Sequence, residues 1–177
     1  MIKLNNKSKR LLLLQRNELL SEKQIWLRRK FGRFAFTNFF INFFQSKNID
    51  KKTEDLFIKE LNTFQNFLPQ NVINIMDIGC GLGIIDILLN NFYNKQTNFY
   101  LLDKNKVDSK IKYGFNSNYE SYNSLNETKN LLLKNEINTN QINIFDVDKK
   151  IEINKKIDLV ISLKSMGYHY PIDNYIN

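Results

Sequence analysis

An acid followed by glycines at alternate positions, Asp77-Ile78-Gly79-Cys80-Gly81-Leu82-Gly83, is the part of this chain best suited to hold a ligand. Glycine reaches positive φ and carries no Cβ, so a ligand can lie directly on the main chain. Leu82 to Leu89 continues with apolar residues at helical spacing. A helix starting there turns unpaired N–H groups and a positive dipole end toward the glycines. The spacing also separates ligand classes. A dinucleotide site reads G-x-G-x-x-G, and counting from Gly79 its third glycine would fall on Ile84. Other residues with chemical capacity lie downstream: Asp103, Asp146, and His169, which is the only histidine and stands between Tyr168 and Tyr170.

The elements that must position these residues follow in regular order. Val72 to Ile78 is a short, β-branched apolar run, as a strand covered on both faces requires. Helix 82–93 comes next, and Asn98 to Leu102 is the second strand with Asp103 at its tip. Residues 104–122 are polar and aromatic, forming a lid or a substrate loop, or else an irregular connection. Ser124-Leu125-Asn126-Glu127 has capping-box spacing and opens a helix over 128–135. Ile142 to Phe145 is the third strand, followed by Asp146, and Lys156 to Leu163 the fourth, leading into Lys164 to Pro171. Alternating strands and helices predict an α/β domain on a parallel sheet. In such sheets ligands sit at the carboxyl ends of the strands. An acid about twenty residues past the glycines accepts hydrogen bonds from ribose in nucleotide-binding folds; for Asp103 the alternative is capping of the turn that follows.

The pattern D-x-G-x-G-x-G resembles motif I of the class I S-adenosylmethionine-dependent methyltransferases. The resemblance covers residues 72–171 and implies a Rossmann-like, doubly wound, mainly parallel sheet with strand order 3-2-1-4 over its first four strands. It also implies S-adenosyl-L-methionine as cofactor, touching Asp77, Ile78, Gly79, Cys80, Gly81 and Gly83 at the turn. Further contacts would come from Asp103 and Lys104 at the second strand, Asp146 and Val147 at the third, and Ser162 at the fourth. Asp103 would take the ribose and Asp146 the adenine amino group, a role that Asp148 could equally fill. The loop after strand four faces substrate in this family, which makes His169 and Tyr168 the catalytic candidates, His169 as general base. The expected reaction is in-line methyl transfer to an unidentified acceptor: a small molecule, a protein or RNA. The N-P-P-Y or D-P-P-Y signature of amino-methylating DNA enzymes is absent. The alternative is a non-catalytic S-adenosylmethionine-binding or RNA-binding protein with a degenerate form of the fold. The family's sheet continues beyond its fourth strand, whereas this chain has room for about four. The resemblance therefore implies a fold truncated after strand four, its C-terminal strands missing, or an apolar fourth-strand edge covered by the N-terminal helices, a second copy or another chain.

Charge is unevenly distributed. Residues 1–33 hold ten Lys/Arg against Glu18 and Glu22, which accounts for the whole net charge of +8. The expected partners of that segment are RNA phosphates or anionic lipid, with a solvated helix face as the alternative. Residues 8–23 and 24–45 read as two helices or one bent one, and 24–45 holds half of the fourteen phenylalanines, a density that implies burial against the domain itself, with a partner or a lipid interface as the alternatives. A further helix is expected to start at Thr53-Glu54-Asp55, a good N-cap with acids in its first turn, and to stop at Pro69. These helices form a segment 1–69, with the cofactor-binding domain over 70–177. Leu11 to Leu14 is too short to span a membrane and lacks a cleavage site for a signal peptide. One cysteine, Cys80, rules out an internal disulfide, and no Cys/His cluster suggests a metal; a reducing, cytoplasmic setting is the expectation.

Overall fold

The structure is a computed structural model describing residues 2–43, 47–107, 122–163 and 165. It divides into two compact units, Met1–Leu68 and Pro69–Asn177.

The first unit is helical. α1, Asn6–Gln15, is capped by the Asn5 side chain, which accepts from the Ser8 N–H at 2.8 Å. Its Leu11-Leu12-Leu13-Leu14 run is buried throughout. The chain turns extended at Arg16 and makes a short 3-10 turn, then Ser21 and Gln24 form a reciprocal capping box that starts α2, Glu22–Phe31. Gly32, at φ +84°, separates α2 from α3, Arg33–Phe43. The expected two helices are therefore three, because polar residues 15–18 and then Gly32 interrupt them. Arg28 holds the first break in place. It is buried and donates to the Leu13 carbonyl, an orphan at the end of α1, and to Asn17 Oδ1.

α4, Lys47–Phe64, starts six positions before the expected cap. Thr53 is not a cap but a fully buried interior residue, in a stripe with Ile49, Phe57 and Leu61 at four-residue spacing. The polar residues around Ile49 lie on other faces of the same helix, so polarity alone gave a false boundary. The basic segment is also less free than its charge suggests. Arg16 forms a two-pronged pair with Glu60 (2.9 and 3.3 Å) and lies over the Phe57 ring, and Lys9 meets Asp50 at 3.0 Å. No described helix is long and apolar enough to cross a membrane.

The second unit is the α/β part. β1 (Asn74–Ile78), β2 (Asn98–Asp103), β3 (Ile142–Asp146) and β4 (Leu159–Ile161) form an all-parallel sheet in the order β3-β2-β1-β4. The chain builds outward from β1 to β3, then returns to β1's other side as β4. The switch point thus lies between β1 and β4, where open α/β sheets place their ligands. α5 (Ile84–Phe92) links β1 to β2, and α6 (Leu125–Lys134), capped by Ser124 accepting from the Glu127 N–H, precedes β3.

Strand pleat sorts the residues. Ile75, Asp77, Phe99 and Leu101 share one face and are all buried. Ile78, Tyr100 and Leu102 share the other, packed by Val147, Ile151, Ile153 and Ile157 from the irregular chain between β3 and β4. Two strands are shorter than expected. β1 begins at Asn74, with Ile73 exposed, and β4 has three residues and an exposed Val160. A short edge strand offers few unpaired backbone groups for another chain to add to.

Candidate functional site

The site is built where β1 runs out. Gly79 and Cys80 both donate to the Leu102 carbonyl (2.7 and 3.2 Å), so the turn first continues the sheet and then leaves it. Gly79, Gly81 and Gly83 all have positive φ (+77°, +55°, +70°), and Gly83 is the left-handed N-cap of α5. A Cβ on Gly79 would fall on the Ser165 side chain; one on Gly83 would press on Leu132 at 3.0 Å. Gly79 and Gly83 are thus favoured by packing as well as by conformation, and Gly81 by conformation.

Asp103 holds the turn from the side. Its Oδ2 accepts from the Gly81 N–H at 2.7 Å and from Asn123 Nδ2 at 3.1 Å, while Oδ1 accepts from the Lys104 N–H at 2.7 Å. The capping bond expected as one alternative is therefore present, together with a clamp on the glycines. The Gly81 carbonyl is held too, by Asn123 Nδ2 and Thr128 Oγ1, each at 2.8 Å. Both sides of this residue are thereby tied to β2 and to the start of α6. Burial pushes the Asp103 carboxyl up to about 6, against the pull of these bonds and of Lys104.

Two further acids lie beneath the turn. Asp77 is 1% exposed and Asp86, in the first turn of α5, is fully buried. Burial pushes Asp86 up to about 7, opposed by hydrogen bonding to Asp77 and to its own backbone. Two close carboxyls in an apolar interior hold one proton between them more easily than they hold two charges. The Cys80 thiol is pushed up well beyond its ordinary value by burial first, then by Asp103, Asp77 and Asp86. Three carboxyls, those of Asp77, Asp86 and Asp103, thus lie close to the glycine turn.

The other expected contacts are placed as follows. Asp146 stands opposite Asp103 in the sheet register; its Oδ1 accepts from the Asp148 N–H, and Lys149 lies 3.8 Å from Oδ2. Lys104 Nζ points toward Asp148, at 3.7 Å. The Val147 N–H extends the ladder onto the Asp103 carbonyl, but its side chain packs in the core of the opposite face, as does Ile78. These two offer a ligand their backbone only. Ser162 Oγ donates to the Ile78 carbonyl at 2.7 Å, stitching the exit of β4 to the end of β1. His169 and Tyr168 lie outside the described residues, as does most of the polar stretch 104–122.

Four participants escaped the sequence reading: Asp86, Asn123, Thr128 and Ser165. Asp86 left a signal, being a charge inside the apolar run IIDILL. Asn123 and Thr128 looked like ordinary polar residues at a helix start. Among the described residues no group of His, Cys, Asp and Glu is arranged to hold a metal ion. Compared with protein-family models, with curated proteins and with solved structures, the chain matches none.

Proposed function

We propose that residues 70–177 bind S-adenosyl-L-methionine and form a methyltransferase domain acting on an acceptor still to be identified. The observation that carries this reading is the glycine turn itself: Gly79, Gly81 and Gly83, all at positive φ, leave the carboxyl end of β1 beside the switch point, and Asp103 at the tip of β2 accepts from the Gly81 N–H. Carboxyls beside such a turn suit a ligand bearing sulfonium and ammonium charges better than a dinucleotide's pyrophosphate. When bound, the cofactor supplies an electrophilic methyl group on its sulfonium sulfur. The chain's own residues then have three tasks. The glycine backbone gives close approach, and the carboxyls offset positive charge. Asp103 Oδ1 takes one bond in the structure and keeps acceptor capacity for a ribose hydroxyl. Asp146, next to Asp103 at the sheet's carboxyl edge, suits an amino group of the base. His169 and Tyr168 would remove the acceptor's proton and line its pocket.

Calorimetric titration with S-adenosylmethionine, its demethylated product and NAD tests the reading. Binding of the first two on the order of micromolar, with none of NAD, is the expected result. A folded sample that binds neither overturns it. Asp103→Ala should weaken binding at least roughly tenfold, the scale of one lost charge-assisted hydrogen bond.

A further inference from the structure

We propose that the exposed face of α2 and α3 is a docking surface for an anionic phospholipid bilayer. It lies wholly within the helical unit and does not depend on the cofactor reading. Four large aromatic side chains of these two helices are exposed: Trp26 (54%), Phe31 (66%), Phe39 (54%) and Phe43 (71%). Leu27 is exposed beside them, and α2 packs on α3, so the residues belong to neighbouring helices. α3 is apolar on two sides. Phe36 and Ile41 face inward and are buried, yet Phe39 and Phe43 face out. On the outward side Phe39 and Phe43 are exposed together with Asn38 and Asn42, so apolar rings and polar amides share that side.

The charge on the same helices defines the cover. Residues 22–43 carry five Lys/Arg and one acid, Glu22. Arg28 is used internally, but Lys23, Arg29 and Lys30 are exposed. Aromatic and leucine side chains among exposed bases are the composition of helices that lie in a bilayer interface. The rings are also already paired. Phe39 and Phe43 pack at 4.8 Å between centroids, and Lys30 Nζ lies 4.2 Å from the centre of the Trp26 ring. A bilayer is favoured over single-stranded RNA because the adjacent Phe39 and Phe43 offer an apolar wedge to acyl chains, while Lys30 reaches from Trp26 toward a lipid phosphate.

Trp26 is the chain's only tryptophan and reports directly on its surroundings. The full chain is titrated with vesicles of equimolar phosphatidylglycerol and phosphatidylcholine, and with phosphatidylcholine alone. The expected result is a blue shift of Trp26 emission and quenching by brominated acyl chains. Both should be strong with the anionic vesicles, reduced by salt and weak with the neutral ones. The variant Phe39→Ser/Phe43→Ser changes only exposed residues, so its circular dichroism and melting should be unchanged. It should bind the vesicles more weakly by roughly tenfold. Four results would overturn the proposal: no spectral response to anionic vesicles; a response to an oligouridylate but not to vesicles; undiminished vesicle binding by the double variant; or self-association in sedimentation that the double variant abolishes.

Discussion

Gly79 and Gly32 have nearly the same φ, +77° and +84°, but opposite surroundings. A Cβ on Gly79 would collide with Ser165, while one on Gly32 would meet nothing within 4 Å. Gly79 opens a turn whose amides and carbonyls are taken up by β2, Asp103, Asn123 and Thr128, with buried acids beneath. Gly32 joins two helices whose outer side chains are basic, aromatic and exposed. The contrast teaches that positive φ is a local property, whereas the cost of changing it depends on what has been packed around it. One turn is fixed by the residues packed around it; the other is open on its outer side.

Substitution at the two glycines probes that contrast most directly. Gly79→Ala should have the largest effect, about 3 kcal/mol lost in urea denaturation, combining left-handed strain with the clash. Ser165→Gly in the same chain should recover part of it; no recovery would mean the contact is not what makes Gly79 necessary. Next in size is Asp86→Asn, expected to stabilise by about 2 kcal/mol at pH 8. The sign follows from linkage. Asp86 is raised to about 7 from an ordinary value near 3.8, so the folded state holds the proton more tightly. Its stabilising contribution is complete below pH 4 and is lost as pH rises toward 7. The variant should therefore flatten the fall in stability between about pH 4 and 7 to which Asp103, raised to about 6, also contributes. A variant with the wild-type pH profile would remove Asp86 from the argument. Asn123→Ala should cost about 1.5 kcal/mol and weaken cofactor binding, because the Gly81 carbonyl and Asp103 each lose a donor. Gly32→Ala should cost least, about 1 kcal/mol in thermal unfolding, the strain of an extended positive-φ conformation with nothing packed against the new Cβ.

Much of the α/β unit is legible in the chain. Strands β1 to β3, the glycine turn and Asp103 at the tip of β2 follow from short runs of apolar residues, β-branched in β1 and aromatic and leucine in β2, from glycine spacing and from the interval between them. Boundaries were less legible where side chains serve a neighbour rather than their own element. Thr53 reads as a cap because Glu54 and Asp55 follow it, yet the Ile49–Phe57–Leu61 stripe draws it into the interior of α4. Arg16 and Lys9 read as free surface charge but are paired with Glu60 and Asp50. The phenylalanines of α3 were expected to be buried, and only part of them are, since a cluster of like residues does not say which side of a helix is covered.

The sequence by itself determined the order of strands and helices, the left-handed turn and the excess of positive charge in the first 33 residues. These depend on neighbouring residues, whose spacing sets backbone conformation and local polarity. The tertiary structure alone decided that Asp103 clamps Gly81, that Asp77 and Asp86 meet beneath the turn, that Ser165 closes over Gly79, and that Trp26, Phe39 and Phe43 face outward. Each of these joins or separates residues far apart in the chain or on opposite sides of one helix. Such relations arise only when burial and hydrogen bonding are satisfied for the whole fold at once.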